Sequence, residues 1–337
     1  MTDEAPSDIR LHIVTGKGGT GKTTVAGAFA LALAAEGRKV LLCEVEGRQG
    51  IASLFDVAPL PYEERRIAIG DGGGEVYALA IDTEAALLEY LDMFYRLGRA
   101  GKALDRFGVI DFATTVAPGV RDVLLTGKVY EATRRGQPGR SMRGVRHAQP
   151  SYDAVVLDAP PTGRIPRFLN VNTEVAGIAK VGPIRNQATS IMRLLKSEQT
   201  RVHVVTTLEE MPVQETLDGI TELRAIGLRV GAIIVNLVRD AGLAARDLKA
   251  AIAGKLDAAE IEAALKEVGI APDEGAVAGL LAEARDHGER VMLERSQRKR
   301  LEAAQRPMAT LPYSPDGVDV GTLYEFAETL RAAGVLA

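Results

Sequence analysis

Gly16-Lys17-Gly18-Gly19-Thr20-Gly21-Lys22-Thr23 stands between the apolar run Leu11–Val14 and the alanine-rich segment Thr24–Glu36. The run reads as a buried strand and the segment as a helix, so G-x-x-x-x-G-K-T joins a strand to a helix, the context of a phosphate-binding P-loop. Glycines let backbone N–H groups curl around phosphate oxygens with no Cβ in the way. The helix start adds partial positive charge. Gly16, Gly18, Gly19, Thr20, Gly21 and Thr24 are therefore expected to cradle a nucleotide. Lys22 is expected on its β- and γ-phosphates, and the Thr23 hydroxyl on Mg²⁺.

Outward from this loop, strand signals recur at Leu11–Thr15, Lys39–Cys43, Val76–Ile81, Ala154–Leu157, Val202–Thr206 and Ala232–Val235, with helical stretches between most of them. Such alternation predicts an α/β fold with a doubly wound, mainly parallel sheet and helices on both faces. Its ligand belongs beyond the carboxyl ends of the strands. Residues 1–337 read as one ATPase domain. The core covers roughly 9–82, 151–238 and 306–337, and helical additions cover roughly 83–150 and 239–305. The segment 134–147 carries Arg134, Arg135, Arg140, Arg143, Arg146 and His147 among glycines and reads as a basic, flexible loop, either solvated or facing an anionic partner or membrane surface.

Composition is that of an ordinary globular chain, with 46% hydrophobic and 26% charged residues. A net charge of −4 gives no argument for nucleic-acid binding. No apolar run approaches the ~20 residues a bilayer requires, and the polar first ten residues lack a signal-peptide pattern. A cytoplasmic protein is expected, peripheral to a membrane only through partners. One cysteine, Cys43, leaves no disulfide within the chain and no zinc site built on cysteines.

The run Ala154-Val155-Val156-Leu157-Asp158 ends four apolar residues with a carboxylate. A buried strand would deliver Asp158 to its tip, where a Walker B acid holds Mg²⁺ directly or through water. Pro161-Thr162-Gly163 follows, and its backbone can approach a γ-phosphate and sense its loss.

Three features together resemble the arsenite-pump/tail-anchored-protein-targeting ATPases. They are the GKGGTGKTT loop, the segment Asp158–Leu169 (DAPPTGRIPRFL), and the runs Val205–Thr216, Ile233–Asn236 and Leu311–Asp316. The resemblance extends over nearly the whole chain. More narrowly, it points to the anion-transporting-ATPase-like proteins of actinobacteria, which occur as pairs of paralogues. Lys17 resembles the signature lysine of dimeric ATPases, which reaches the nucleotide of the partner subunit. The resemblance implies a Mg-ATP hydrolase acting as a homodimer or as a heterodimer with a paralogous ATPase. Asn236 would read the adenine edge and the Pro312–Asp316 loop would cover the base. Glu46 would position the attacking water, although that family has aspartate there and Glu44 competes for the role. Arg164 replaces a histidine of the targeting relatives and would alter how the switch loop responds. With Cys43 alone, neither an interfacial zinc nor a thiolate-bound metalloid is expected.

Three functions follow from different classes. One is a chaperone or targeting factor for hydrophobic helices, with a groove around residues 85–104 that includes Leu87, Leu88, Leu91, Met93, Phe94 and Tyr95. The second is the soluble energising subunit of a membrane anion exporter, and the third a partitioning or scaffold ATPase. A small-molecule phosphotransferase would share the P-loop but needs a substrate site that the sequence does not display.

Overall fold

The computed structural model describes residues 9–95, 118–135, 151–170 and 183–336. In chain order the elements are β1 (Leu11–Gly16), α1 (Lys22–Ala34), β2 (Val40–Glu44), α2 (Gly50–Leu54), β3 (Arg65–Ile69), β4 (Glu75–Ala80), α3 (Thr83–Tyr95) and α4 (Pro118–Arg134). The chain continues through β5 (Ala154–Asp158), α5 (Ile165–Leu169), α6 (Pro183–Leu195), β6 (Thr200–Thr206), α7 (Glu210–Ala225) and β7 (Val230–Val238). It closes with α8 (Ala245–Ile252), α9 (Ala258–Glu267), α10 (Glu274–Glu302), β8 (Met308–Pro312) and α11 (Val320–Ala332).

The strands form one sheet in the order β3-β4-β2-β5-β1-β6-β7-β8. All neighbours are parallel except the antiparallel pair β3/β4. The fold is therefore the expected α/β one, with two strands that the apolar pattern does not announce. β3 carries Arg65 and Arg66 and lies on an edge, mostly exposed, while β8 is a short edge strand that ends in Pro312. Neither needs the continuous apolar run of a strand covered on both faces.

Alternate residues of each central strand feed two cores. Leu11 and Ile13 of β1, with Leu41 and Cys43 of β2, pack beneath α3, α4, α6 and α7 through Leu87, Leu124, Ile191 and Ile220. Val14, Val40 and Leu42 face α1 and α11 through Phe29, Leu31 and Phe326. Every residue of α1 from Val25 to Ala34 is buried, so the helix is apolar all round, as a central helix must be.

The basic-loop reading needs correcting at its start. Arg134 is the last residue of α4, and Arg135, just after it, is a buried anchor rather than a solvated loop residue. Its guanidinium bonds both Glu131 oxygens at 2.7 Å and pairs with Glu64, which also accepts the Tyr152 hydroxyl at 2.7 Å. Lys128 joins Glu131 to Glu89, and Glu89 accepts the Tyr62 hydroxyl at 2.6 Å. Residues 136–147 lie outside the described residues. Of the suggested groove, Leu87 is buried in the core and Leu88 packs against it. The side chains of Leu91, Met93, Phe94 and Tyr95 lie outside the described residues.

Candidate active site

Strand register gathers the expected groups at one edge of the sheet. Val14 of β1 and Glu44 of β2 both pair with Asp158 of β5, so these tips are level and the P-loop leaves β1 just beyond them. A Cβ on Gly16 would lie 2.2 Å from the Val205 carbonyl oxygen on β6, which is why the strand must end in glycine. Gly21 has φ of 84°, and a Cβ there would lie 2.3 Å from the Asn236 amide nitrogen. The loop closes on itself where the Thr20 hydroxyl donates to the Lys17 carbonyl at 2.8 Å. Beyond Gly21 the first turn of α1, with Lys22, Thr23 and Thr24, presents its N–H groups with no acid among them. Open space surrounds the Cα atoms of Gly18 and Gly19. This is a cradle for phosphate oxygens.

Asp158 accepts the Thr23 hydroxyl at 2.7 Å. Burial pushes its carboxyl up to about 6, with the Thr23 bond and Lys22 opposing and Glu44 and Glu46 adding to the rise. Burial likewise lowers the Lys22 ammonium, against the pull of Asp158 and Glu46. A hydroxyl and a carboxylate side by side form a hard oxygen pair that fits Mg²⁺, which keeps waters and takes phosphate oxygens for the rest. Among the described residues no group of three His, Cys, Asp or Glu could serve as an all-protein cage. Thr23 and Asp158 would hold the ion, and the ion would supply charge neutralisation to the phosphates.

The two candidate acids after β2 have different surroundings. Glu44 is buried and accepts the Gly50 and Ile51 N–H groups at 3.2 and 3.3 Å, holding the start of α2. Gly50 in turn packs on the Thr23 methyl. Glu46 is part-exposed and loosely paired, 3.8 Å from Arg48 and 3.6 Å from Arg164. Of the two, Glu46 is the one whose carboxylate takes no backbone donor among the described residues and lines an open pocket.

The segment expected to act as a switch is tied to the P-loop strand. Thr15 donates to the Pro160 carbonyl at 2.7 Å, and the Thr162 N–H donates to the Gly16 carbonyl at 3.2 Å. Pro161 and Gly163 therefore stand beside the cradle, with Gly163 exposed and open around its Cα. Lys17 is tied to a helix of the same chain. Its ammonium pairs with Glu215 of α7 at 2.9 Å, and Glu215 also lies 3.5 Å from the Thr162 hydroxyl.

Asn236, near the end of β7, donates its amide to the Thr20 carbonyl at 2.9 Å, while its buried Oδ1 has no partner among the described residues. Leu237 follows with φ of 59°, at an irregularity in the β7/β8 pairing that turns the strand end. The loop after β8 is tied to β7, through the Tyr313 N–H on the Val238 carbonyl and Arg239 stacked 4.1 Å over the Tyr313 ring. Pro312 and Asp316 are exposed. Thus the P-loop residues, Asp158, Glu46, Pro161, Gly163 and Asn236 converge, whereas Pro312 ends the edge strand β8 and Asp316 stands on the loop after it.

Sequence reasoning misses two features. Glu215 lies in a run that carries the resemblance, yet nothing in its spacing marks a partner for Lys17. Arg121 of α4 lies beside Glu46 in space with no motif around it.

A β-strand that ends in a glycine-rich loop opening a helix, a buried acid on the Thr23 hydroxyl, and a segment after β5 bonded to the end of that strand define a P-loop nucleotide hydrolase. The sequence profile of the anion-transporting ATPases matches residues 9–198. ATPase BagA of Mycobacterium tuberculosis (strain ATCC 25618 / H37Rv) is 53% identical over 329 residues, covering 98% of this chain and 94% of BagA. Protein Rv2184c of the same strain is 27% identical over 275 residues, 74% of this chain and 64% of that protein. The arsenical pump-driving ATPase of Escherichia coli is 26% identical over 258 residues, 70% of this chain and 41% of its own length. The chain belongs to the anion-transporting ATPase family and is an ATP hydrolase.

Proposed function

We propose that this chain, acting as one domain with helical additions at 83–150 and 239–305, is a dimeric Mg-ATP hydrolase whose opening and closing handles a hydrophobic client or membrane partner. The P-loop binds the phosphates, Lys22 neutralises the charge that develops in transfer, and Glu46 orients water in line. Thr23 and Asp158 hold Mg²⁺, Asn236 meets the base with its unpartnered oxygen, and Pro312 and Asp316 belong to the loop that covers it. Loss of the γ-phosphate releases Pro161–Gly163 and lets the subunits separate.

The observation that carries the dimer is Lys17. Its ammonium is held by Glu215, a part-exposed acid of α7, from which a partner's nucleotide can draw it. One strain supplying two relatives of different similarity, BagA and Rv2184c, supports pairing with a paralogue as well as with itself. Sedimentation in Mg-ATP and steady-state turnover test this. Lys17→Ala should remain monomeric and lose most turnover, and a variant that hydrolyses as fast as wild type would sink the reading. Glu46→Gln in Mg-ATP should retain partners on a native pull-down, and recovery of proteins with terminal apolar helices would favour a targeting role.

A second reading has the chain energise a membrane anion exporter, and it rests on the name of the Escherichia coli relative. A metalloid held by thiolates does not fit: Cys43 is fully buried and burial pushes its thiol up. Recovery of a polytopic transporter in the same pull-down would favour this reading.

A further inference from the structure

Next to Glu46 the described residues line a half-open pocket of about 180 Å³ whose lining includes no residue of the P-loop. One water needs ~10–15 Å³ on the same measure, so the space admits a polyatomic ligand. Three arginines line it from three separate segments: Arg48 after β2, Arg121 in the first turn of α4, and Arg164 after β5. Glu46 and Asp122 are the acids of the lining, which leaves one positive charge in excess. The pairs from Glu46 to Arg48 and Arg164, at 3.8 and 3.6 Å, are too long to occupy either fork bidentately. Apolar residues, Phe168 among them, back the site.

Three arginines around one pocket of this size suit a compact oxyanion better than a nucleotide, whose base and ribose would need more room. Arginine stays charged at any working pH, so the preference persists. We propose that this cavity binds an inorganic oxyanion of the phosphate class, and that its occupant in turnover is the phosphate split from ATP. The second part rests on the reading of Glu46 as the group beside the attacked phosphorus. Phosphate leaving the cradle meets Glu46 first, and the cavity lies against that side chain. Its arrival draws Arg48 and Arg164 away from Glu46, and Arg164 carries the message to the switch segment. Product then holds the switch until it leaves.

The test titrates inorganic phosphate into the full chain saturated with Mg-ADP, followed by ³¹P NMR, and repeats it with R121Q and R121K. Among the described residues Arg121 makes no hydrogen bond or ion pair with the groups assigned to nucleotide or Mg²⁺. The structure predicts phosphate binding weakened about tenfold or more in R121Q, since one charge-assisted bond is lost, with ADP affinity unchanged. R121K should recover part of it. Phosphate should inhibit wild-type turnover without competing with ATP, its inhibition constant rising in R121Q by the same factor. Phosphate inhibition that is purely competitive with ATP and indifferent to Arg121 overturns the site. Sulfate and phosphate binding equally at Arg121, with no inhibition of turnover by phosphate, overturns the product assignment and leaves an oxyanion site filled from solution. If Glu46→Gln turned over like wild type while R121Q still lost phosphate, the role of Glu46 would fall and the cavity would stand.

Discussion

Polar groups are buried in two regions of this molecule and are treated in opposite ways. Around the end of α4 they complete one another: Arg135 grips both Glu131 oxygens and Glu64, and Lys128 lies between Glu131 and Glu89. Tyr62 and Tyr152 donate their hydroxyls into the same set. At the strand tips they are left unfinished. Asn236 has a buried oxygen without a donor among the described residues, Asp158 has its carboxyl pushed up to about 6, and burial depresses the Lys22 ammonium. A saturated network gives rigidity and has nothing to offer a ligand. Groups whose charge is disfavoured by burial gain when a phosphate or a cation arrives. The first region holds a helix in place, and the second is a site.

Removing one partner from each region should separate these roles. Arg135→Ala leaves Glu131 to Lys128 and Glu64 to the Tyr152 hydroxyl in a mostly buried setting, at a cost of about 3 kcal/mol, the low end for a broken buried pair. A lowered urea midpoint with an unchanged KM for ATP in the folded protein is the expected result. If KM rose with stability intact, the network would belong to the site and the contrast would break.

Lys22→Ala should do the reverse. Turnover should fall by about 10²–10³-fold, the scale of losing one preorganised charge donor, while the nucleotide-free protein is no less stable. Equal thermal midpoints, measured by calorimetry without nucleotide, would sharpen the distinction. A large loss of stability would instead show Lys22 to be structural.

The same test applies two residues apart on one strand end. Glu46→Gln should reduce turnover by about 10²-fold while ATP still binds, because the amide cannot take up a proton from water. Glu44→Gln should mainly loosen the start of α2, by about 1–2 kcal/mol, the usual scale of a lost helix cap. Single-turnover assays beside denaturant titrations would read both. Reversed outcomes would transfer the catalytic role to Glu44.

Of these two regions, the site is the one that local sequence announces. Glycine, lysine and threonine at fixed spacing between a strand and a helix specify the cradle, since backbone close to phosphate leaves few alternatives. Asp158 is legible because four apolar residues deliver it. Two kinds of feature are not. Edge strands such as β3 and β8 lack the apolar run that marks a buried strand. Pairings across the fold, such as Lys17 with Glu215 or Arg135 with Glu64, depend on which helix packs on which face, and local spacing carries no trace of that. Arg135 reads as part of a solvated loop because two of the residues around it, Glu64 and Tyr152, come from other segments.

Between the two regions, within the sheet, lies an intermediate case and the smallest predicted effect. His12 of β1 and His203 of β6 are fully buried, 3.1 Å apart from Nδ1 to Nε2, against Phe29 of α1. The Ala232 N–H donates to His203 Nδ1 at 3.2 Å, so that nitrogen is the acceptor and Nε2 carries the proton toward His12. His12 then bears its own proton on Nε2, a buried atom without a partner among the described residues. Burial lowers both rings, His203 to about 3, and Arg201 adds to both, with His203 and Arg38 also acting on His12. The unfolded chain takes up these protons first, near 6.5, so stability is whole above about 6.5 and declines as pH falls below it. Each histidine contributes a slope of about 1.4 kcal/mol per pH unit in that window. Asp158 acts in the opposite sense below about 6, because its native carboxyl binds a proton more readily than an unfolded one. The difference between wild type and His12→Leu cancels that contribution. Urea titrations at pH 7 and pH 5.5 should show the variant losing less stability on acidification, by about 1.4 kcal/mol per unit below 6.5. Equal losses in the two proteins would mean that the pair is charged or hydrated in the native state, and that the sheet interior is not the dry environment that keeps the two polar regions apart.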